Sequence, residues 1–267
     1  MILIGELING TRKSISKALQ EKNVDYIKKL VSLQVENGAD YIDINAGTGK
    51  GPQQEKEDLE WLVDITNEFV GTGVCIDSSD TEVIRYCLPL VKNNAVMLNS
   101  LSGETEKVAQ IIPLLQEYPN SKVICLTMDD SGIPSNIDKK IEITQKLLGL
   151  LEKIGIKQEN VFIDALVQPI STDWKNGILF LDSLKAIKER FPSVMTTCGL
   201  SNISFGLPSR TLVNKYFLAV GTVFGLDSVI ADPCDAGIKE AICLGNVLSG
   251  KDEFCMNFIR MIREKNS

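Results

Sequence analysis

The sequence predicts a parallel eight-stranded (β/α)8 TIM barrel, and three observations carry that reading. Eight short runs rich in Val and Ile alternate with eight amphipathic stretches along the chain, the pattern of βαβ units that builds a parallel sheet. The length, 267 residues, suits one barrel of ordinary size. Several runs end on a carboxylate or an amide before a polar loop, and a barrel builds its site from the C-terminal ends of its strands. An open, doubly wound sheet shares the first observation and is the competing architecture.

In chain order, the strands are expected at 2–5, 41–45, 73–77, 95–99, 122–127, 161–164, 195–199 and 228–231. Each is short, rich in β-branched residues and bounded by turn signals. The helices are expected at 24–37, 53–69, 80–90, 104–117, 137–153, 174–190, 209–224 and 235–248. Gly38 stands where the first of these should stop, since glycine takes the left-handed conformation that ends a helix. A last helical stretch, 253–265, is expected to pack outside the barrel or against a partner chain. No repeat, linker or low-complexity segment divides the chain, so 1–267 reads as a single barrel domain.

Composition narrows the chemistry. Hydrophobic residues make up 44% and charged residues 24%, an ordinary globular balance. A net charge of -7 and a pI near 4.9 argue against a nucleic-acid partner, which needs a basic face. No run approaches the length of a membrane-spanning helix. The start, Met1-Ile2-Leu3-Ile4-Gly5-Glu6, lacks the basic region of a signal peptide. Seven cysteines without a C-x-x-C pair point to a cytoplasmic chain and to no metal centre. There is no histidine, which removes imidazole proton shuttling, imidazole-activated nucleophiles and histidine-ligated metals.

The remaining polar candidates stand at strand ends. Asp43 and Asn45 are two apart and share one face of a strand; either could also bond neighbouring loop backbone. Asp77 and Asp164 each follow apolar residues, as a helix N-cap or as a group aimed into the barrel mouth. Asn99, before Ser100, has the same two readings. Asn202 lies in a polar loop between Thr197 and Arg210, flanked by Ser201 and Ser204. Carboxylates and amides with little positive charge suit a neutral ligand rich in N–H donors, and a pterin edge fits: one Asp can accept from it through both oxygens. Gly47-Thr48-Gly49-Lys50-Gly51-Pro52 is glycine-rich but lacks phosphate-loop spacing, and it reads as a flexible mouth loop.

Gly5-Glu6-Leu7-Ile8-Asn9-Gly10, Asp43-Ile44-Asn45-Ala46-Gly47, Asp77-Ser78, Asn99-Ser100 and Gly199-Leu200-Ser201-Asn202 occur in the order seen in pterin-binding methyltransferases. The chain resembles that family, which includes the methyltetrahydrofolate:corrinoid/iron–sulfur protein methyltransferase of acetogens and the folate domain of cobalamin-dependent methionine synthase. The resemblance runs nearly the whole length, through Leu126-Thr127-Met128 and Ile230-Ala231-Asp232-Pro233-Cys234-Asp235. It implies a homodimeric barrel that holds tetrahydrofolate or 5-methyltetrahydrofolate in its mouth and meets a corrinoid (cobalamin) carried by another protein. It places Asp77, Asn99 and Asp164 on the pterin edge and Asn202, the catalytic candidate, near the methyl-bearing N5. Gly199, Ser201 and Arg210 fall on the same loop, and Glu6, Asp43, Asn45 and Met128 complete the expected folate-binding set. Phe205 departs from the glutamine that members often carry there, which bears on the loop contacts and the corrinoid partner.

The implied reaction is in-line methyl transfer between a folate nitrogen and cobalt. Transfer toward cobalt needs a proton on the leaving nitrogen. An amide such as Asn202 can donate a hydrogen bond but cannot release a proton at neutral pH. The expectation is a proton delivered through water, with the protein supplying orientation and electrostatics. A dihydropteroate synthase is the alternative within pterin enzymes. It should carry a strand-end Lys and a basic pocket, whereas the seventh run offers Met195-Thr196-Thr197-Cys198. A Schiff-base aldolase needs a Lys inside a strand, and Lys122 is at the wrong end of its run. A folate- or corrinoid-binding module without activity is the alternative from another class.

Overall fold

The runs of Val and Ile become eight strands: β1 (Ile2–Asn9), β2 (Tyr41–Asn45), β3 (Gly73–Asp77), β4 (Val96–Ser102), β5 (Lys122–Leu126), β6 (Val161–Asp164), β7 (Met195–Thr197) and β8 (Ser228–Ala231). The structure, a computed structural model, describes residues 1–92 and 95–265. The strands form one sheet in the order β7-β6-β5-β4-β3-β2-β1-β8, and each ladder is parallel. β7 is three residues long, so it closes on β8 without a ladder. A single parallel bridge, Gly199 to Ile230, spans the gap, with the Ile230 N–H donating to the Cys198 carbonyl at 2.9 Å. Ser228 Oγ donates to the Thr196 carbonyl at 3.0 Å just below. The expected (β/α)8 barrel is the architecture observed.

The helices are α1 (Lys13–Glu21), α2 (Val24–Glu36), α3 (Pro52–Thr66), α4 (Thr81–Cys87), α5 (Thr105–Glu117), α6 (Ile137–Lys153), α7 (Asn176–Arg190), α8 (Arg210–Val223), α9 (Ala236–Leu248) and α10 (Met256–Lys265). Local chemistry starts several of them. The Asn23, Asp80, Asn136 and Asp235 side chains accept backbone N–H groups of the first turns of α2, α4, α6 and α9, which satisfies donors a helix start would leave open. Asp252 does the same for α10, accepting the Asn257 and Phe258 N–H groups at 3.1 and 3.0 Å.

Three differences from the sequence reading have physical causes. α1 was not expected, although Ile15, Ala18 and Leu19 are buried at helical spacing; it is a short helix inside the β1-to-α2 connection. β1 and β4 run past their expected ends, to Asn9 and Ser102, because each carries a register shift, between Gly5 and Ile8 and between Asn99 and Leu101. Such irregularities re-aim side chains near sites. β7 stops at Thr197 because the chain turns into a short 3-10 helix at Leu200–Asn202.

The core has two layers. The larger lies between sheet and helices. The smaller fills the barrel with Ile4, Tyr41, Cys75, Met97, Ile124 and Phe162, one inward residue from each of six strands. Beneath them the Lys122 ammonium sits 5.1 Å from the Tyr41 ring centroid and 5.6 Å from that of Phe162. Lys122 is the first residue of β5, at the end away from the mouth. All seven cysteines are free. Among the described residues no helix is long and apolar enough to cross a membrane.

Candidate active site at the barrel mouth

Strand side chains alternate between faces, so the residue two positions beyond each floor residue also points inward. That step leads from Ile4 to Glu6, Tyr41 to Asp43, Cys75 to Asp77, Met97 to Asn99 and Phe162 to Asp164. The register agrees: Asp43 pairs with Cys75, Asp77 with Asn99, and Asp164 with Leu126 and Thr197. Five polar residues are thereby brought to one mouth, directly above the apolar plug.

Hydrogen bonds knit the β2–β4 sector. Asn45 Nδ2 donates to Asp77 Oδ2 at 2.9 Å, while Asn45 Oδ1 accepts the Gly47 N–H at 2.9 Å. Both readings of Asn45 therefore hold, since one amide serves the loop and the mouth. Asn99 Nδ2 approaches Asp43 Oδ1 at 3.4 Å, and the Cys75 thiol also bonds Asp43. Asp77 is not a helix cap, because Asp80 caps α4. Asp164 caps no helix either: its Oδ1 accepts the Leu166 N–H at 2.7 Å, across a turn in which Leu166 takes φ 61°.

Burial sets the electrostatics. The Asp43 carboxyl is held well above the usual carboxylate range by burial and by the Asp77 charge facing it. Burial raises Asp77 as well, against the Asn45 bond that lowers it. Asp164, also buried, is raised to about 6, with the Leu166 N–H and the Lys140 charge pulling it down. Glu6 is raised by burial, against the Arg12 guanidinium, whose Nη2 donates to Glu6 Oε1 at 3.2 Å. Acceptors that share a narrow barrel and keep protons more readily than free carboxylates suit a ligand that brings N–H donors.

The loop after β7 forms the opposite wall. Ser201 hydrogen-bonds Glu6, which ties the loop to β1. Asn202 is exposed, and among the described residues no hydrogen bond holds its amide. Arg210 does not reach into the mouth as a free cation. Its Nη2 donates to the Ser201 carbonyl at 2.6 Å and its Nε to Ser204 Oγ at 3.1 Å, so it staples the loop to α8. Gly199 lies at the bridge to Ile230. Met128 is half-buried after β5, its carbonyl accepting the Gly103 N–H at 2.7 Å. Gly5 is fixed by close approach: a Cβ there would stand 2.4 Å from Gln34 Oε1, the oxygen that accepts the Leu7 N–H.

The structure adds groups that the sequence reading did not select. Thr197 faces inward on β7 beside Asp164, and its buried Oγ1 has no partner among the described residues. Its place two residues beyond Met195 was the available signal. A cavity of about 260 Å³ opens beside the mouth, lined by Glu6, Arg12, Ser201, Arg210, Asn214 and Asp232. Asn214 Oδ1 is buried there without a partner among the described residues; it comes from α8, and strand periodicity could not have found it.

The family described as pterin binding enzyme matches residues 5–232 of the chain. The chain belongs to that family. A methylcorrinoid:tetrahydrofolate methyltransferase of Eubacterium limosum is 36% identical over 265 residues, covering 99% of this chain and 97% of that protein. A methionine synthase of Mycobacterium leprae is 32% identical over 247 residues, which is 86% of this chain and 20% of that relative. Among solved structures, a dihydropteroate synthase from Clostridium difficile, determined in the presence of pteroic acid, superimposes with a TM-score of 0.72 at 17% identity. That superposition covers 93% of this chain and 96% of the other. A Xanthomonas albilineans dihydropteroate synthase with 4-aminobenzoic acid gives 0.70 at 15% identity, covering 93% of each. At such identity the likeness shows the pterin-binding barrel fold and nothing finer.

Proposed function

We propose that this protein transfers a methyl group between N5 of tetrahydrofolate and the cobalt of a corrinoid carried by a partner protein. The observation that carries the reading is the inward ring of acceptors, Asp43, Asp77, Asn99 and Asp164, above an apolar floor. It stands in a chain whose relative over 97% of that protein's length is named a methylcorrinoid:tetrahydrofolate methyltransferase. Asp77, Asn99 and Asp164 bind the pterin edge in this reading, and the orphaned Thr197 hydroxyl offers one further bond. Asn202, on the open side, donates to N5 as charge changes there. Arg210 orients the loop that carries it. The inward positions of β7 are Met195 and Thr197, with no Lys for an anionic leaving group, which favours methyl transfer over pteroate synthesis.

The rim supports a protein partner. Trp174 and Phe205 are 80% and 63% exposed on neighbouring loops, which Ser171 Oγ ties together by donating to the Phe205 carbonyl at 2.6 Å. A homodimer is part of the same proposal. Leu212, Tyr216, Val220 and Val223 expose one face of α8, with Leu244 and Leu248 on neighbouring α9. Of the stretch 216–220, only Tyr216 and Val220 stand outward; Leu218 and Ala219 are buried, and Phe217 packs on Phe180. Sedimentation equilibrium at micromolar concentration should show a dimer, and a monomer would remove this part of the proposal.

The deciding assay follows the corrinoid spectrum. The protein is mixed with cob(I)alamin and 5-methyltetrahydrofolate, then with methylcob(III)alamin and tetrahydrofolate. Catalysed change in either direction supports methyl transfer. Tight folate binding without any change would leave a binding module.

A further inference from the structure

Lys140 lies outside the barrel on the first turn of α6, yet it is only 2% exposed and is the largest fully buried side chain. Its ammonium donates to the carbonyl of Ala165, the residue after Asp164. Among the described residues no carboxylate forms an ion pair with it within 4.0 Å. Keeping a cation out of water without a close partner is costly, and the position is not forced on α6, because the next buried residue of its face, Ile143, is apolar. A cavity of about 420 Å³ between the loops after β5 and β6 is lined by Lys140, Leu166, Gln168 and Asn176 together with the apolar Ile133 and Ile178.

The turn that Lys140 touches is an unusual one. Leu166 adopts φ 61°, a left-handed conformation unfavourable for a non-glycine residue because its Cβ crowds the following carbonyl. Two contacts hold it: Asp164 Oδ1 accepts the Leu166 N–H from inside, and Lys140 grips the Ala165 carbonyl from outside. We propose that Lys140 is a positioning residue for the mouth, fixing the Asp164–Ala165–Leu166 turn from behind the barrel wall so that the Asp164 carboxylate is presented as a hydrogen-bond acceptor.

The electrostatics run in the same direction. Burial lifts Asp164 to about 6, and the Leu166 N–H first and the Lys140 charge second draw it back. The other titratable group facing Asp164 is the Cys198 thiol after β7, which burial first and the Asp164 charge second push well above the thiol range and so keep neutral. Asp164 in turn supports the Lys140 ammonium against its own burial. Without the Lys140 charge, the carboxylate takes a proton nearer neutrality and ceases to accept from a ligand N–H.

The test needs no ligand. Carboxyl ¹³C NMR of aspartate-labelled protein follows the titration of Asp164, with its resonance assigned by its absence in Asp164→Asn. Wild type should titrate near 6. Lys140→Gln, which keeps an N–H for Ala165 and removes the charge, should titrate about one pH unit higher, and Lys140→Arg should return to the wild-type midpoint. An unmoved midpoint in Lys140→Gln overturns the proposal. If the Gln variant does not fold, Lys140→Arg decides: folding with the wild-type midpoint sustains the charge requirement, and failure to fold makes Lys140 merely structural. This inference rests on the pterin reading for its meaning, and a second measurement separates the two. Tetrahydrofolate affinity of Lys140→Gln should fall about twofold at pH 7 and about tenfold at pH 5, and recover at pH 9. Wild type binding no tetrahydrofolate at any pH would end the functional reading while leaving the titration result standing.

Discussion

The floor and the mouth of this barrel are built by the same strands, two residues apart, and they obey opposite rules. The floor packs Ile4, Tyr41, Cys75, Met97, Ile124 and Phe162 without exposed surface beyond a few per cent, and burial of such side chains contributes about 1.5–3 kcal/mol each. The mouth places Asp43 and Asp77 against each other and buries Asp164, an arrangement that lowers the stability of the empty protein. One step along a strand therefore separates residues that hold the fold together from residues that it must carry. A site of this kind is specific because its acceptors are costly until a ligand satisfies them.

That contrast can be broken or sharpened by substitution. Phe162→Ala should have the largest effect, destabilising the fold by about 3–5 kcal/mol in urea unfolding, while the molecules that remain folded bind folate as wild type does. Lost affinity in that folded fraction would show that floor and mouth are not separable. Asn202→Ala should leave stability unchanged and reduce single-turnover methyl transfer by about 10²–10³ in both directions. Its proposed bond strengthens as charge develops on N5, so transfer should fall more than affinity does. A variant that binds weakly but transfers at the wild-type rate once saturated would make the loop a clamp only. Asp77→Ala should reverse that split. Loss of two charge-assisted bonds weakens tetrahydrofolate binding by roughly one to three orders of magnitude, mostly as uniform binding. Unchanged affinity by calorimetry would remove Asp77 from the site.

The smallest effect is on pH. Asp164 has a folded value of about 6 against an ordinary 3.8, so folding favours its protonated form. The stability it contributes is full below about pH 4 and is lost as pH rises through 6, by about 1.4 kcal/mol for each pH unit between the two values. Asp129 and Asp252 shift downward and act only at lower pH. The ligand-free protein should thus melt at a higher temperature at pH 5.5 than at 7.5, and Asp164→Asn should flatten that slope. A wild-type melting temperature that rises over this window would mean the mouth carboxylates are not strained when empty.

Much of this contrast was legible in the sequence because strand periodicity is local. The short Val- and Ile-rich runs and their terminal Asp43, Asp77, Asn99 and Asp164 follow from the chain alone, and the structure sets them all facing inward. What escaped depends on contacts between elements. The Lys140 ammonium and the Asn214 amide come from helices whose sequence pattern does not reveal which strand end they approach. Arg210 is on the loop the sequence indicates, but its guanidinium is engaged by Ser201 and Ser204, a contact set by the fold of the loop onto α8. α1 was missed despite its buried Ile15, Ala18 and Leu19, because nine residues with two serines make a weak helical signal.

The single bridge between Gly199 and Ile230 has a dynamic consequence. Seven junctions of the barrel are fastened by ladders, and the eighth, between β7 and β8, by the single backbone bond from Ile230 to Cys198 and by side-chain-mediated bonds of Ser228 and Asp227 to Thr196. Regions held by few backbone bonds open at lower free energy than the rest of a fold. The Asn202 loop begins at that seam, three residues beyond Gly199. The joint with the fewest backbone bonds is thus the one from which the Asn202 loop departs, and what holds that loop is Arg210 and the Ser201 bond to Glu6. Loop motion and amide exchange at Ile230 then belong to one opening event, and a ligand that draws the loop inward also fastens the barrel shut.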